Sequence, residues 1–332
     1  MKKIRFKFAS VYSGGGFGSH GAHKAGGEEI FAIDFNKTAE KVFTKNFPKV
    51  PFFNMNALDV TFQKMIELGL NNRDISNIDI LLLSPPCTGI SKRNLYRHPF
   101  LPVNMLLLDC VRIVSEFKPK VAIIENVNGL LDEVMKPLFD LLVSKCNSLV
   151  DYNFDYRILN ANDYGVPQSR KRFVGMFVRK DVGQPVFPEP STKDYKALYL
   201  NRLFPDVVGF DAGGSRKKIN SNSTGEVIGK KAKWKHTNQV CGTLTATAGE
   251  IFQDIKRGAR KISRDERLII CAAQDMNFEG ITDREVDFVS GNGIMPPFME
   301  AVCNRLADEY FSEPVFRKKA ALMQPVFKKS FN

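Results

Sequence analysis

The chain has 332 residues, 43% of them hydrophobic and 25% charged, ordinary proportions for a soluble protein with a real core, in one large domain or two modest ones. Its net charge of +12 at pH 7 is not ordinary, and it points to a polyanionic partner, nucleic acid before any other. No window reaches the roughly 18 apolar residues of a membrane span, and no two of the six cysteines form a CxxC pair, so membrane, zinc-motif and dithiol-redox classes are excluded and no metal is expected.

The first residues, MKKIRFKFASVYSGGG, start basic but contain neither a long apolar region nor a small-residue cleavage pattern. They are read as mature protein, and the scattered cysteines suit a reducing cytoplasm. Apolar runs at 4–12, 29–34, 78–84, 121–125, 156–160 and 172–178 predict strands, with a further short one just before Asn56. Amphipathic stretches at 38–46 and 103–117 predict helices between them. This rhythm predicts an α/β fold, a doubly wound and mostly parallel sheet with helices on both faces and ligands at the carboxyl ends of its strands.

After residue 178 the character changes. Residues 179–258 are rich in Pro, Gly, Asn, Ser and Lys, and hold 14 basic against 8 acidic side chains, half of the chain's excess charge. They predict a smaller, loop-rich basic domain, with residues 1–178 and 259–332 forming the main one. Helix returns at SRDERLIICAAQ, where Ser263 and Glu266 have the spacing of a capping box. A last apolar helix is expected over 298–310, after GNGIMPP.

Strand 1 runs into YSGGGFGSHG, and strand 2 ends at Asp34, twenty residues after Gly14. A glycine turn lets the backbone approach a ligand closely, and an acid ending strand 2 can take ribose hydroxyls, so a nucleoside site is predicted. Gly16, Gly18 and Gly21 also fit G-x-G-x-x-G, which leaves a dinucleotide open. Asp59 can contact an adenine amine or cap a helix. The run DILLLSPPC sets the Cys87 thiol just beyond a central strand. Prolines cannot donate to the ladder, so they end the pairing and stiffen the exit, which holds a nucleophile over the crevice. The next strand, VAIIENV, delivers Glu125 to the same edge, a carboxyl able to act as acid or hydrogen-bond partner. In PQSRKRF, Gln168, Arg170 and Arg172 alternate, so a strand turns them to one face, where two guanidiniums suit a phosphate or developing negative charge.

Taken in order, VYSGGGFG, Asp34, Asp59, PPC, ENV, QSRKR and GNGIMPP resemble the DNA cytosine-5 methyltransferases of compact bacterial or phage type, across nearly the whole chain. The resemblance implies a Rossmann-like methyltransferase fold. It also implies base flipping and transfer of a methyl group from S-adenosylmethionine to C5 of cytosine in duplex DNA, with S-adenosylhomocysteine as product. Cys87 would add to C6 of the base, Glu125 would hydrogen-bond N3 and the exocyclic amine, and Arg170 and Arg172 would hold base and phosphate. Nearby arginines would lower the thiol's pKa. Tyr12, Gly14, Gly16, Asp34, Phe35, Asp59, Val60, Pro86, Leu106 and Asn292 would surround the cofactor. Residues 179–258 would be the target recognition domain. Ser91, Arg216, Lys217, Lys218, Thr243 and Thr245 would contact DNA, with the lysines of 230–235 as further phosphate contacts. Trp234 is open between core and DNA.

The chain departs from the family pattern at Ser84 and Phe17, where glycine is usual, and at Thr88, where glutamine is. The resemblance also implies a monomer and, where the enzyme belongs to a restriction-modification system, an endonuclease acting on the same site without direct contact. Three alternatives stay open: the same chemistry on RNA, a DNA-binding protein without catalysis, and a nicotinamide-dependent oxidoreductase.

Overall fold

The computed structural model describes residues 5–211, 220–221, 227–228, 234–247 and 249–312. Residue 4 of the first predicted strand, Arg216, Lys217, Lys218 and residues 230–233 lie outside the described residues. Seven strands form the main sheet: β1 (Phe6–Val11), β2 (Gly27–Asp34), β3 (Phe52–Asn54), β4 (Ile80–Leu83), β5 (Val121–Val127), β6 (Tyr152–Asn160) and β7 (Lys171–Arg179). Their order is β3-β2-β1-β4-β5-β7-β6, parallel except for β7, which runs antiparallel to both its neighbours. Each expected strand is present, and β5, β6 and β7 run longer than the apolar runs suggested.

The central strands bury both faces, and their residues alternate between two cores. Phe6 and Phe8, Ile80 and Leu82, and Val121 and Ile123 enter one core. Ala9 and Val11, Leu81 and Leu83, and Ala122 and Ile124 enter the other. Strands covered on both sides read as unbroken apolar runs rather than as alternation, which is why ILLL looks the way it does.

Helices α1 (Phe17–Lys24) and α2 (Lys37–Asn46) follow β1 and β2, and two short helices, α3 (Phe62–Glu67) and α4 (Asn72–Ile75), precede β4. The second core is covered by α5 (Met105–Phe117) and α6 (Lys136–Asn147). A short α7 (Leu200–Leu203) leads into β8 (Val207–Asp211); β9 (Asn220–Ser221) and β10 (Val227–Ile228) pair with each other, and β11 (Ile251–Asp254) lies between β8 and β12 (Gly258–Lys261). Helices α8 (Arg264–Ile270), α9 (Asp283–Asn292) and α10 (Pro296–Leu306) close the first core beside α1. Ser263 and Glu266 form the expected capping box on α8. The final helix starts two residues before the predicted 298 and runs on as a π turn, Ala307–Phe311. No helix among the described residues is long and apolar enough to cross a membrane.

From β1 the chain winds outward to β2 and β3, and then returns to place β4 on the other side of β1. That reversal opens a crevice at the carboxyl ends of β1 and β4, where open α/β sheets bind ligands. The glycine turn leaves β1 there, and the Pro-Pro-Cys segment leaves β4 there.

Candidate active site

A cavity of about 480 Å³ fills this crevice. Its walls come from the glycine turn after β1, the end of β2, the Ser84–Thr88 segment, the end of β5, the start of α5, and residues 288–294 at the end of α9. Cys87, Glu125, Arg170 and Arg172 all line it, together with Tyr12, Gly14, Asp34, Phe35, Pro86, Leu106 and Asn292. Gly16, Asp59 and Val60 do not. Gly16 caps α1 at φ 82°, and a Cβ there would stand 2.6 Å from the Phe47 ring, so this glycine serves the turn and the packing behind it. Asp59 is exposed at the end of a 3-10 turn. Val60 is fully buried, and its carbonyl accepts from Arg112.

At the nucleoside end, Asp34 closes the glycine turn onto β2. One carboxylate oxygen accepts the Gly14 N–H at 2.9 Å and the other accepts the Asn36 N–H at 2.9 Å. Burial pushes the Asp34 pKa above its ordinary value, against the pull of these N–H groups. Asn36 in turn caps α2, accepting from the N–H groups of Thr38 and Ala39. Nothing in the sequence beyond the Asn-x-Thr spacing marks it as a wall of the cavity.

Tyr12 stands at φ 61°, a conformation rare for a bulky residue. Its buried hydroxyl has no hydrogen-bond partner among the described residues. An unpaired buried hydroxyl costs about 1–3 kcal/mol, so Tyr12→Phe is expected to raise the free energy of unfolding by that order, read from denaturant midpoints, while the cavity stays intact.

At the other end, strand register builds the reactive group. Glu125 pairs with Val174 and Val127 with Arg172 across the antiparallel β5–β7 ladder, so Glu125 and Arg172 are diagonal neighbours on one face. Arg172 Nε donates to Glu125 Oε1 at 2.8 Å, with both side chains about nine-tenths buried. Burial raises the Glu125 pKa, partly offset by Arg172 and Arg170. Asn126 points back and donates to the Pro85 carbonyl at 3.1 Å, tying β5 to the segment that carries the thiol.

Of the six free cysteines, Cys87 alone is not fully buried. Its carbonyl accepts from the N–H groups of Ile90 and Ser91, which folds the next residues into a tight turn. The expected lowering of its pKa is outweighed. Burial raises it, and the pull of Arg172 and Arg170 is the smaller effect.

Arg170 is deeply buried, and its two terminal nitrogens donate to the carbonyls of Leu244, Gly291 and Gly293. Burial and the nearby Arg172 press its pKa down to about 9, so it stays cationic at neutral pH. Its Nε has no partner among the described residues. Gln168, fully buried, accepts from the Leu244 N–H at 3.3 Å. The Gln-x-Arg motif thus brackets residue 244 and the end of α9 around the cavity.

Thr243 and Thr245 lie outside the cavity and are hydrogen-bonded within the chain. Thr243 donates to the Ser169 carbonyl at 2.8 Å. Thr245 donates to Glu250 at 2.8 Å and accepts from Arg93 at 3.0 Å. Ser91 is half-buried in the turn after Cys87, and Trp234 is 41% exposed beside Gly209.

The family model described as C-5 cytosine-specific DNA methylase matches residues 6–249. The chain is 36% identical over 186 residues to the type II methyltransferase M.XorII of Xanthomonas oryzae pv. oryzae, covering 54% of this chain and 42% of that protein. It is 27% identical over 266 residues to M1.HphI of Haemophilus parahaemolyticus, covering 79% and 67%. The match therefore spans between two fifths and two thirds of these relatives' length. In fold, a candidate DNA-modification methyltransferase encoded in an Escherichia coli prophage superposes with a TM-score of 0.69 at 19% identity, over 92% of this chain and 99% of the other. With most of the chain matched, and with a thiol, a carboxyl and two arginines gathered at the switch point of this sheet, the chain belongs to the C-5 cytosine-specific DNA methylase family.

Proposed function

We propose that the protein transfers a methyl group from S-adenosylmethionine to C5 of a flipped cytosine in a short duplex DNA site. The observation that supports this most is one cavity walled at one end by Cys87, Glu125 and Arg172 and at the other by the glycine turn and Asp34. One end suits a base and the other a nucleoside, and both open on the same space.

S-adenosylmethionine supplies an electrophilic methyl on a sulfonium. Asp34 would take the ribose, Tyr12 and Leu106 would hold the adenine, and Asn292 would close the pocket from the end of α9. C5 of cytosine is a weak nucleophile until C6 is saturated. The Cys87 thiolate bonds to C6, and the electron pair of the C5–C6 double bond becomes available at C5. Glu125, held by Arg172, hydrogen-bonds N3 and the exocyclic amine and stabilises the charge that develops in the ring. C5 would take the methyl group as its bond to the sulfonium breaks, the electron pair staying on sulfur to leave the thioether S-adenosylhomocysteine; C5 then loses its proton to water, and the S–C6 bond breaks as the double bond returns. Cys87 leaves unchanged.

The base must leave the duplex first, at a cost of a few kcal/mol. The basic residues of 179–258 anchor the phosphates during that extrusion and form the target recognition domain. The protein acts as a monomer in the cytoplasm, alone or beside an endonuclease that cuts the same site.

The test uses S-adenosylmethionine labelled in its methyl group, incubated with mixed genomic DNA and, in parallel, total RNA, with methylcytosine mapped by bisulfite sequencing. Label at C5 in one short DNA motif is the expected outcome. Label in RNA alone, or none in either pool, overturns the reading.

A further inference from the structure

Beneath the cavity, on the face of β1 that meets α1, sits a carboxylate that the mechanism above does not use. The Glu29 side chain is fully buried. Its Oε1 accepts from Ser10 Oγ at 2.6 Å and from Ser19 Oγ at 2.9 Å. Both serines line the cavity, and they are only 3% and 2% exposed. The other oxygen, Oε2, is 3.2 Å from His23 Nε2, and His23 Nδ1 is 3.1 Å from the Gly27 carbonyl.

A hydroxyl has one proton to donate and two lone pairs to offer. Glu29 takes the proton of both serines, so what remains to each of them in the cavity is acceptor capacity. This holds for either tautomer of His23, because the ring meets the carboxylate on the Oε2 side and Oε1 stays an acceptor. The corner therefore calls for a donor on the ligand. An ammonium has donors and no acceptors, so it matches this corner better than a ribose hydroxyl, which has both.

We propose that Ser10 and Ser19, oriented by Glu29, form a subsite for the α-ammonium of the cofactor's amino-acid tail. The proposal rests on the reading of the cavity as an S-adenosylmethionine site. Glu29 is a positioning residue here: it touches no ligand and acts by fixing which way two hydroxyls point.

The test compares S-adenosylhomocysteine with its deamino analogue, which keeps the adenosine, the thioether and the carboxylate. Binding of each to the full chain is measured by calorimetry. The parent protein is expected to prefer the amino compound by on the order of tenfold or more, as charge-assisted hydrogen bonds do. In Ser10→Ala, Ser19→Ala and their combination that preference falls towards unity, through weaker binding of the amino compound alone. Glu29→Gln keeps it, because the amide oxygen can still accept from both serines while the amide nitrogen faces His23. A preference unchanged in the double-alanine protein overturns the proposal, as does equal weakening of both ligands, which marks a structural role. Failure of the parent protein to bind S-adenosylhomocysteine at all overturns the cofactor reading instead, and the subsite with it.

Discussion

Cys87→Ala protein is expected to form no covalent complex with duplex DNA carrying 5-fluorocytosine in its target site, whereas the parent chain is trapped on it. Fluorine at C5 cannot leave as a proton does, so the sequence of bond changes stops after methyl transfer with the S–C6 bond in place. On the proposed mechanism the substitution removes the atom that makes that bond. Methyl transfer should fall by on the order of a thousandfold or more, while DNA binding, which the proposed reading assigns to phosphate contacts elsewhere, should change little. In the parent protein, adduct formation should speed up as pH rises through the ordinary thiol range. Burial lifts the Cys87 pKa more than Arg172 and Arg170 lower it, so the thiolate is the scarce form and the rise continues above the ordinary thiol range. Methylation at C5 by Cys87→Ala protein would show that another group is the nucleophile.

The second large effect is on stability. Gly291→Ala is expected to destabilise the fold by about 3 kcal/mol and to weaken cofactor binding with it. A Cβ at residue 291 would stand 2.0 Å from the Ala246 nitrogen and 2.2 Å from the Thr245 carbonyl carbon. Both are backbone atoms, so no side-chain rotation relieves the contact. The end of α9 would have to part from residues 244–246, and those are the two segments whose carbonyls Arg170 holds together. Separation leaves a buried guanidinium short of acceptors, which adds to the steric cost. Thermal unfolding and calorimetry with S-adenosylhomocysteine measure the two consequences. A variant as stable as the parent would show that α9 can shift freely against this segment.

Gly21 makes a useful contrast, because the sequence singled it out for a nucleotide-binding pattern. A Cβ on Gly21 would lie 2.3 Å from the Pro296 carbonyl oxygen. Its smallness lets α1 pack directly against α10, and Gly21 does not line the cavity. The same residue type thus lines the cavity at Gly14 and makes a helix contact at Gly21, and only the packing tells the two apart.

By itself the sequence determined which residue types stand at the carboxyl end of each strand, and in what order. An apolar run followed by Gly-Gly-Gly, by Pro-Pro-Cys or by Glu-Asn-Val records both a strand and what leaves it, because those signals lie in adjacent residues. Eleven of the fourteen residues expected around the catalytic and cofactor sites line one cavity, and those in the segments that leave β1, β2, β4 and β5 do so for that reason. The tertiary structure decided the partnerships. The reversed strand β7 sets Arg172 diagonally across from Glu125, and a register between strands some fifty residues apart is written in neither of them. Burial, a property of the whole fold, raised the thiol's pKa where nearby arginines alone would have lowered it. Close packing of distant segments, the Phe43 and Phe47 rings at Gly16 and the α10 backbone at Gly21, put both glycines to structural use and left Asp59 at the surface. Local chemistry is legible residue by residue. Electrostatics and contact depend on which distant segments the fold brings together.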